Sequence, residues 1–124
     1  MDKKTAQHLN MVKDWMLWQL ARDQWMACED ELDRYDRAHG FDWASDGEFR
    51  FDAYEHFCNT DEEHKRICAE YVKASDEMLE SLHRFCDSMV KFTDGQIDFK
   101  TAKNMATTPR YAKRLEAIMM GEAA

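Results

Sequence analysis

Proline occurs once in this chain of 124 residues, at Pro109, and glycine only four times. A β-sandwich or barrel must turn about every ten residues and draws on those residue types to do so. Their scarcity argues against an all-β fold and favours long, uninterrupted helices. Long uncharged runs are missing too. The longest stretch without Asp, Glu, Lys or Arg is residues 5–12, whereas a membrane helix needs about 20 apolar residues. The opening Met1-Asp2-Lys3-Lys4-Thr5 leads into a polar pattern rather than the apolar core of a secretory signal, so a cytoplasmic location is expected. Also missing are a Gly-x-Ser-x-Gly elbow, a phosphate-binding glycine loop and Cys-x-x-Cys pairs. No catalytic residue, cofactor or metal is therefore expected.

What is present suits one globular domain of residues 1–124. The chain is 44% hydrophobic and 34% charged, enough apolar content to fold without staples. Four cysteines, Cys28, Cys58, Cys68 and Cys86, are expected as free thiols, three of them inside helical patterns beside apolar neighbours.

Two long helices dominate the pattern. The first is expected from about Thr5 to His39, stopped by Gly40. Its apolar residues fall on several faces: Leu9, Val12, Met16 and Leu20; Met11, Trp15, Trp18 and Trp25 with Arg22; Leu17, Ala21, Cys28, Leu32 and Tyr35. A helix apolar on more than one face lies centrally in a bundle or at an oligomer interface. The second is expected to open with the capping box Thr60-Asp61-Glu62-Glu63 and run to about Phe92. Its seam steps alternately by four and three through His64, Cys68, Tyr71, Ser75, Met78, Leu82, Phe85, Met89 and Phe92, and Ile67, Val72, Leu79, Cys86 and Val90 widen that face. An antiparallel pair of these helices would bury both stripes. The connector alternates apolar and charged residues around Asp46-Gly47, which suits a short β-hairpin over 41–51 or an irregular loop pinned by its aromatics, followed by a short helix over 52–58 in which Asp52 and Glu55 have capping-box spacing. Thr108-Pro109 opens a last helix through Leu115 and Ile118, and residues 96–107 have room for another turn or two. The fold expected is all-α or nearly so: two long helices plus a C-terminal helix in a small bundle.

Candidate chemistry is sparse. Glu80 and His83 have the Glu-x-x-His spacing of carboxylate-bridged di-iron bundles, and His64 with Cys68, or His83 with Cys86, could each supply half a zinc site. Both halves lie on one helix, about 18 residues apart, and could meet only across a dimer. Packed thiols and surface histidines account for them. The tryptophan stripe could stack nucleic-acid bases, but a net charge of −8 is the wrong sign for phosphate, and core packing explains it.

The charge layout is the strongest signal. Residues 29–63 hold thirteen acids against Arg34, Arg37 and Arg50, a net −10, whereas residues 96–124 carry +2. Asp33 and Asp36 fall in the last turns of the first helix, where the helix dipole disfavours them. This clustering points to a non-enzymatic protein-binding module whose target has a basic, nucleic-acid-binding surface, with no direct nucleic-acid or membrane ligand. The expected partner-facing residues are Glu29, Asp33 and Asp36 on the helix and Asp42, Trp43, Asp46, Glu48 and Phe49 in the connector, the two aromatics as anchors. In size and charge the chain resembles the small acidic inhibitors that phages and mobile elements direct against bacterial defence, anti-CRISPR proteins among them. That resemblance implies an inhibitor that occupies the site meant for nucleic acid. The alternative is a helical homodimer or adaptor subunit that pairs through an apolar seam, and a metal-binding helical enzyme ranks third.

Overall fold

The computed structural model describes residues 1–42 and 50–121. These fold as α1 (Lys3–Ala38), α2 (Phe51–Thr60), α3 (Glu62–Phe92), α4 (Phe99–Thr107) and α5 (Ala112–Met119), with one 3₁₀ turn at Pro109–Tyr111. No strand is found among the described residues, and the fold is a small all-α bundle. Two compact units are distinguished: Met1–Ala21 together with Met78–Ala124, and Arg22–Glu77.

In the first unit, Met11 and Trp18 of α1 meet Leu82, Phe85, Cys86, Met89 and Phe92 of α3. The Trp15 ring lies 5.0 Å from that of Phe85, and the Ser88 hydroxyl donates to Asp14. Lys4 Nζ donates to the Phe92 carbonyl at 2.7 Å and to Asp94 at 3.0 Å. Rising numbers on α1 thus meet falling numbers on α3, so the two segments run antiparallel. Ile97, Ala102, Met105, Leu115 and Ile118 close the core. α3 ends where Asp94 takes a left-handed φ of +52°, followed by Gly95 at +78°, a conformation open to glycine at little cost. The Gly95 amide then reaches the Val90 carbonyl at 2.9 Å, the back-bond of a Schellman stop. The buried Thr93 hydroxyl donates to the Met89 carbonyl and accepts from the Ile97 amide, which turns the chain toward α4. Asp98 caps α4 by accepting from the Thr101 amide at 2.8 Å. One face of α1 in this unit stays outside the core: Leu9, Met16, Leu17 and Leu20 are exposed, Leu20 by 65%.

In the second unit, α1 and α3 again run antiparallel, as Trp25 against Tyr71 (6.2 Å between ring centroids) and Glu31 against Arg66 show. α1 stops at Gly40, φ +86°, with the Phe41 amide bonded back to the Asp36 carbonyl at 2.9 Å. Cys28, Phe41, Ile67 and Ala74 are buried.

Several local expectations need correction. Phe51, expected at the end of a hairpin strand, is the first residue of α2; residues 43–49, the rest of the connector, lie outside the described residues. Asp52 sits in the first turn of α2 and is not its cap. Thr60 does not cap α3. It ends α2, and its hydroxyl donates to the His56 carbonyl. Asp61 takes the role instead, its carboxylate accepting from the His64 amide at 2.8 Å. Asp and Thr are both good caps, and α2 runs to Thr60, past residue 58 where its sequence pattern ends. Val72 and Leu79 are exposed and do not widen the buried face of α3. Thr108 makes no side-chain cap, and Pro109 opens a 3₁₀ turn rather than the α-helix itself.

Leu82 and Phe85 are 4% and 0% exposed, and α3 passes Ser75 unbroken. Leu82→Ala should therefore cost about 2–5 kcal/mol of unfolding free energy, measured by urea denaturation, whereas Leu20→Ala on the open face of α1 should change stability by less than about 1 kcal/mol.

Candidate functional site

Glu29, Asp33 and Asp36 lie at i, i+4 and i+7 on α1, one above another on a single face. The same face carries Leu32 between them, and Tyr71 of α3 stands opposite. With Asp30 these residues line an open groove of about 420 Å³. Four of its six lining residues are carboxylates. The Trp25 ring lies tilted beside that of Tyr71, 6.2 Å between centroids.

The carboxylates differ sharply in environment. Glu29 and Asp30 are exposed. Asp33 is half-exposed and takes the Arg37 guanidinium at 3.2 Å; Arg37 also lies 3.8 Å from Asp42. Asp36 is 2% exposed, which corrects its expected place on the partner-facing surface. Tyr54 of α2 donates its hydroxyl to Asp36 Oδ2 at 2.8 Å. His64, also 2% exposed, brings Nε2 to 3.1 Å from Oδ1 without hydrogen-bond geometry, so that oxygen accepts no hydrogen bond. The Tyr54 hydroxyl lies 3.3 Å from the same Nε2. A buried carboxylate is tolerated only when partners replace its water, and here two helices besides its own supply them.

Aromatic rings enclose this network. Phe57 packs 4.8 Å from His64 and 5.2 Å from Phe41, and Phe41 meets Tyr54 edge-on at 5.0 Å. Burial and the Asp36 carboxylate together push the Tyr54 phenol far above its ordinary value, because a phenolate there would face a carboxylate in a poorly solvated site. Tyr35 hydrogen-bonds Asp61 at 2.7 Å and is pushed up to about 12 by that bond, burial and the nearby charge. The same bond, with the His64 amide, holds Asp61 below the usual carboxylate range.

Cys68 Sγ lies 3.6 Å from His64 Nδ1 and 3.7 Å from its Nε2, so Cys68, His64 and Asp36 cluster as thiol, imidazole and carboxylate without the thiol and the carboxylate on opposite ring nitrogens. A nucleophilic relay uses the same three groups. Burial, however, raises the Cys68 thiol, the opposite of the depressed value that makes a cysteine reactive. The arrangement acts as a buried polar clamp on α1, α2 and α3. Among the described residues, no group of three or more His, Cys, Asp and Glu side chains is arranged to hold a metal ion. His83 is exposed and edges the Phe99 ring, whereas Cys86 is fully buried. Trp15 and Trp18 pack in the first unit's core.

Of the expected partner-facing residues, the groove brings together Glu29 and Asp33 and seals Asp36 into its wall. Asp42 lies near Arg37 and outside the groove lining. Trp43, Asp46, Glu48 and Phe49 lie outside the described residues. Asp30, Leu32, Tyr71, Tyr54 and His64 were not singled out for binding. Asp36 had a legible signal: it continues the four-residue steps Cys28, Leu32, Asp36, an inward stripe. Much of the remaining acid is neutralised locally. Arg66 pairs with Glu31, Glu63 and Glu70, and Lys65 with Glu62. No family model, curated protein or solved structure matches the chain.

Asp61 has a folded value below its ordinary value near 3.8, so its contribution to stability is present above that value and is lost as pH falls through the depressed folded one. The stability gap between the wild type and Asp61→Asn should therefore be constant at neutral pH and shrink on acidification below about pH 4. Chemical denaturation across a pH series reads this directly.

Proposed function

We propose that this chain is a non-enzymatic acidic module that binds a protein through a basic, nucleic-acid-binding surface and blocks that surface. The observation that carries the reading is the exposed pair Glu29 and Asp30, set with Asp33 along one side of an open groove. These are acids left facing solvent after Arg37, Arg66 and Lys65 have neutralised many of their neighbours. Carboxylates kept at one face of a helix repel each other, and a basic partner relieves that repulsion. A small acidic inhibitor of the kind phages use against nucleic-acid-guided defence would have this character. Electrostatic complementarity of this type speeds encounter and selects partners more than it deepens affinity.

A second reading rests on a different observation, the exposed Leu9, Met16, Leu17 and Leu20 of α1. Contiguous exposed apolar side chains mark interaction surfaces, and this stripe suits a homodimer or an adaptor seam.

Salt separates the two. Capture from a bacterial lysate at low and high salt, with identification of the bound protein, should recover a nucleic-acid-binding protein whose capture falls steeply as salt rises. Glu29→Lys with Asp30→Lys should leave the helical content unchanged, because exposed charges contribute little to stability, and should slow association by about tenfold or more. Capture that is insensitive to salt and to this double reversal, but lost in Met16→Glu with Leu20→Glu, would replace the acidic-module reading with the seam.

A further inference from the structure

The open face of α1 is ordered as well as apolar. From Leu9, the exposed residues Lys13, Met16, Leu20, Asp23 and Ala27 follow at alternating steps of four and three along one unbroken helix. At about 3.6 residues per turn, all six lie within about 40° of a single line along that helix. Trp18, midway between the first and the last, is buried on the opposite side.

The spacing is symmetric about residue 18. Turning a second copy end to end about that point sets Met16 against Leu20, Lys13 against Asp23 and Leu9 against Ala27, and each pairing occurs twice. A two-fold interface requires this self-complementarity, because a residue that meets another must be met by it in return. Apolar side chains fall on apolar ones at the centre, and a cation falls on an anion at each flank. Beyond them, the small Ala27 leaves room for Leu9. A parallel pair would instead place Lys13 on Lys13 and Asp23 on Asp23, and like charges disfavour that. Both charges are within reach of a second chain. Lys13 is exposed, and the largely exposed Asp23 carboxylate has one long contact, to Arg22 at 3.5 Å. We propose that this face is the interface of an antiparallel homodimer, α1 against α1 of a second copy, with Met16 and Leu20 at its centre and Lys13 paired with Asp23 of the second copy at each end. This inference rests on the seam reading of the stripe and narrows it from any apolar partner to a second copy. The acidic-module reading stands or falls on salt-dependent capture, a separate readout.

The test is the mass of the full chain in solution, followed by sedimentation equilibrium from about 1 to about 200 µM, the range in which a small interface of this kind dissociates. The wild type should pass from 14.7 kDa toward twice that mass. Met16→Glu with Leu20→Glu should stay monomeric with unchanged circular dichroism, because both side chains lie outside the core. Lys13→Glu and Asp23→Lys, each alone, should weaken association by about tenfold or more, since the two-fold repeats each like-charge contact. An equimolar mixture of these two single variants should associate as tightly as the wild type, because each reversed charge then meets its opposite on the other chain. A wild type that stays at 14.7 kDa throughout would overturn the second copy as occupant and leave the stripe to a different protein. A dimer untouched by Met16→Glu with Leu20→Glu would place the contact elsewhere and overturn this interface. A mixture no tighter than either single variant would overturn the antiparallel pairing of Lys13 with Asp23.

Discussion

The second unit is organised around one buried carboxylate. Asp36 leaves α1 one turn before Gly40, and sealing it away from water is affordable only because α2 delivers the Tyr54 hydroxyl and α3 delivers His64. That requirement fixes the relation of the three helices more tightly than their apolar contacts alone. It explains why α2, which has no fully buried residue of its own, is held by Tyr54 and Phe57. The Schellman stop at Gly40 belongs to the same device, since the Asp36 carbonyl takes the Phe41 amide while its side chain faces inward. The Asp61 cap sits one turn from His64 and ties Tyr35 of α1 to the start of α3.

The same face of α1 changes character along its length. Toward Gly40 it is buried, with Asp36 held by Tyr54 and His64. Toward Glu29 it opens to solvent as a groove with carboxylates and an aromatic wall. Neighbouring acids of one helix therefore sit in opposite surroundings: Glu29 is exposed, as the proposed binding role requires, whereas Asp36 is buried and holds α1 to α2 and α3. The local ion pairs of Arg66 and Lys65 matter for the same reason. Arg66 and Lys65 pair with acids at the start of α3 and with Glu31 of α1, while Glu29 and Asp30 stay exposed.

The helices were readable because the chain punctuates them clearly. Gly40 and Gly95 stop the two long ones, and the alternating steps from His64 to Phe92 place Leu82, Phe85 and Met89 in the core, where they are found. Boundaries set by competing polar residues were less readable. Thr60 and Asp61 are adjacent good caps, and the choice between them depends on how far α2 extends, which is decided by Phe57 and Tyr54 packing on Phe41. The candidate site was half readable. Counting charge found Glu29 and Asp33 but treated Asp36 as one more surface acid. Its partners come from two other helices, so no local pattern announces them. Tyr71 was visible as a seam residue, and only the fold sets it across from Glu29.

The central claim is that neighbouring acids on α1 have opposite roles, Asp36 structural and Glu29 outward-facing. Unfolding free energies of Asp36→Ala and Glu29→Ala in the same buffer test it most directly. The account predicts a loss of about 3 kcal/mol or more for Asp36→Ala, which strands Tyr54 and His64 in a buried site, and a change within about 0.5 kcal/mol for Glu29→Ala. Equal, small effects at both positions would contradict it.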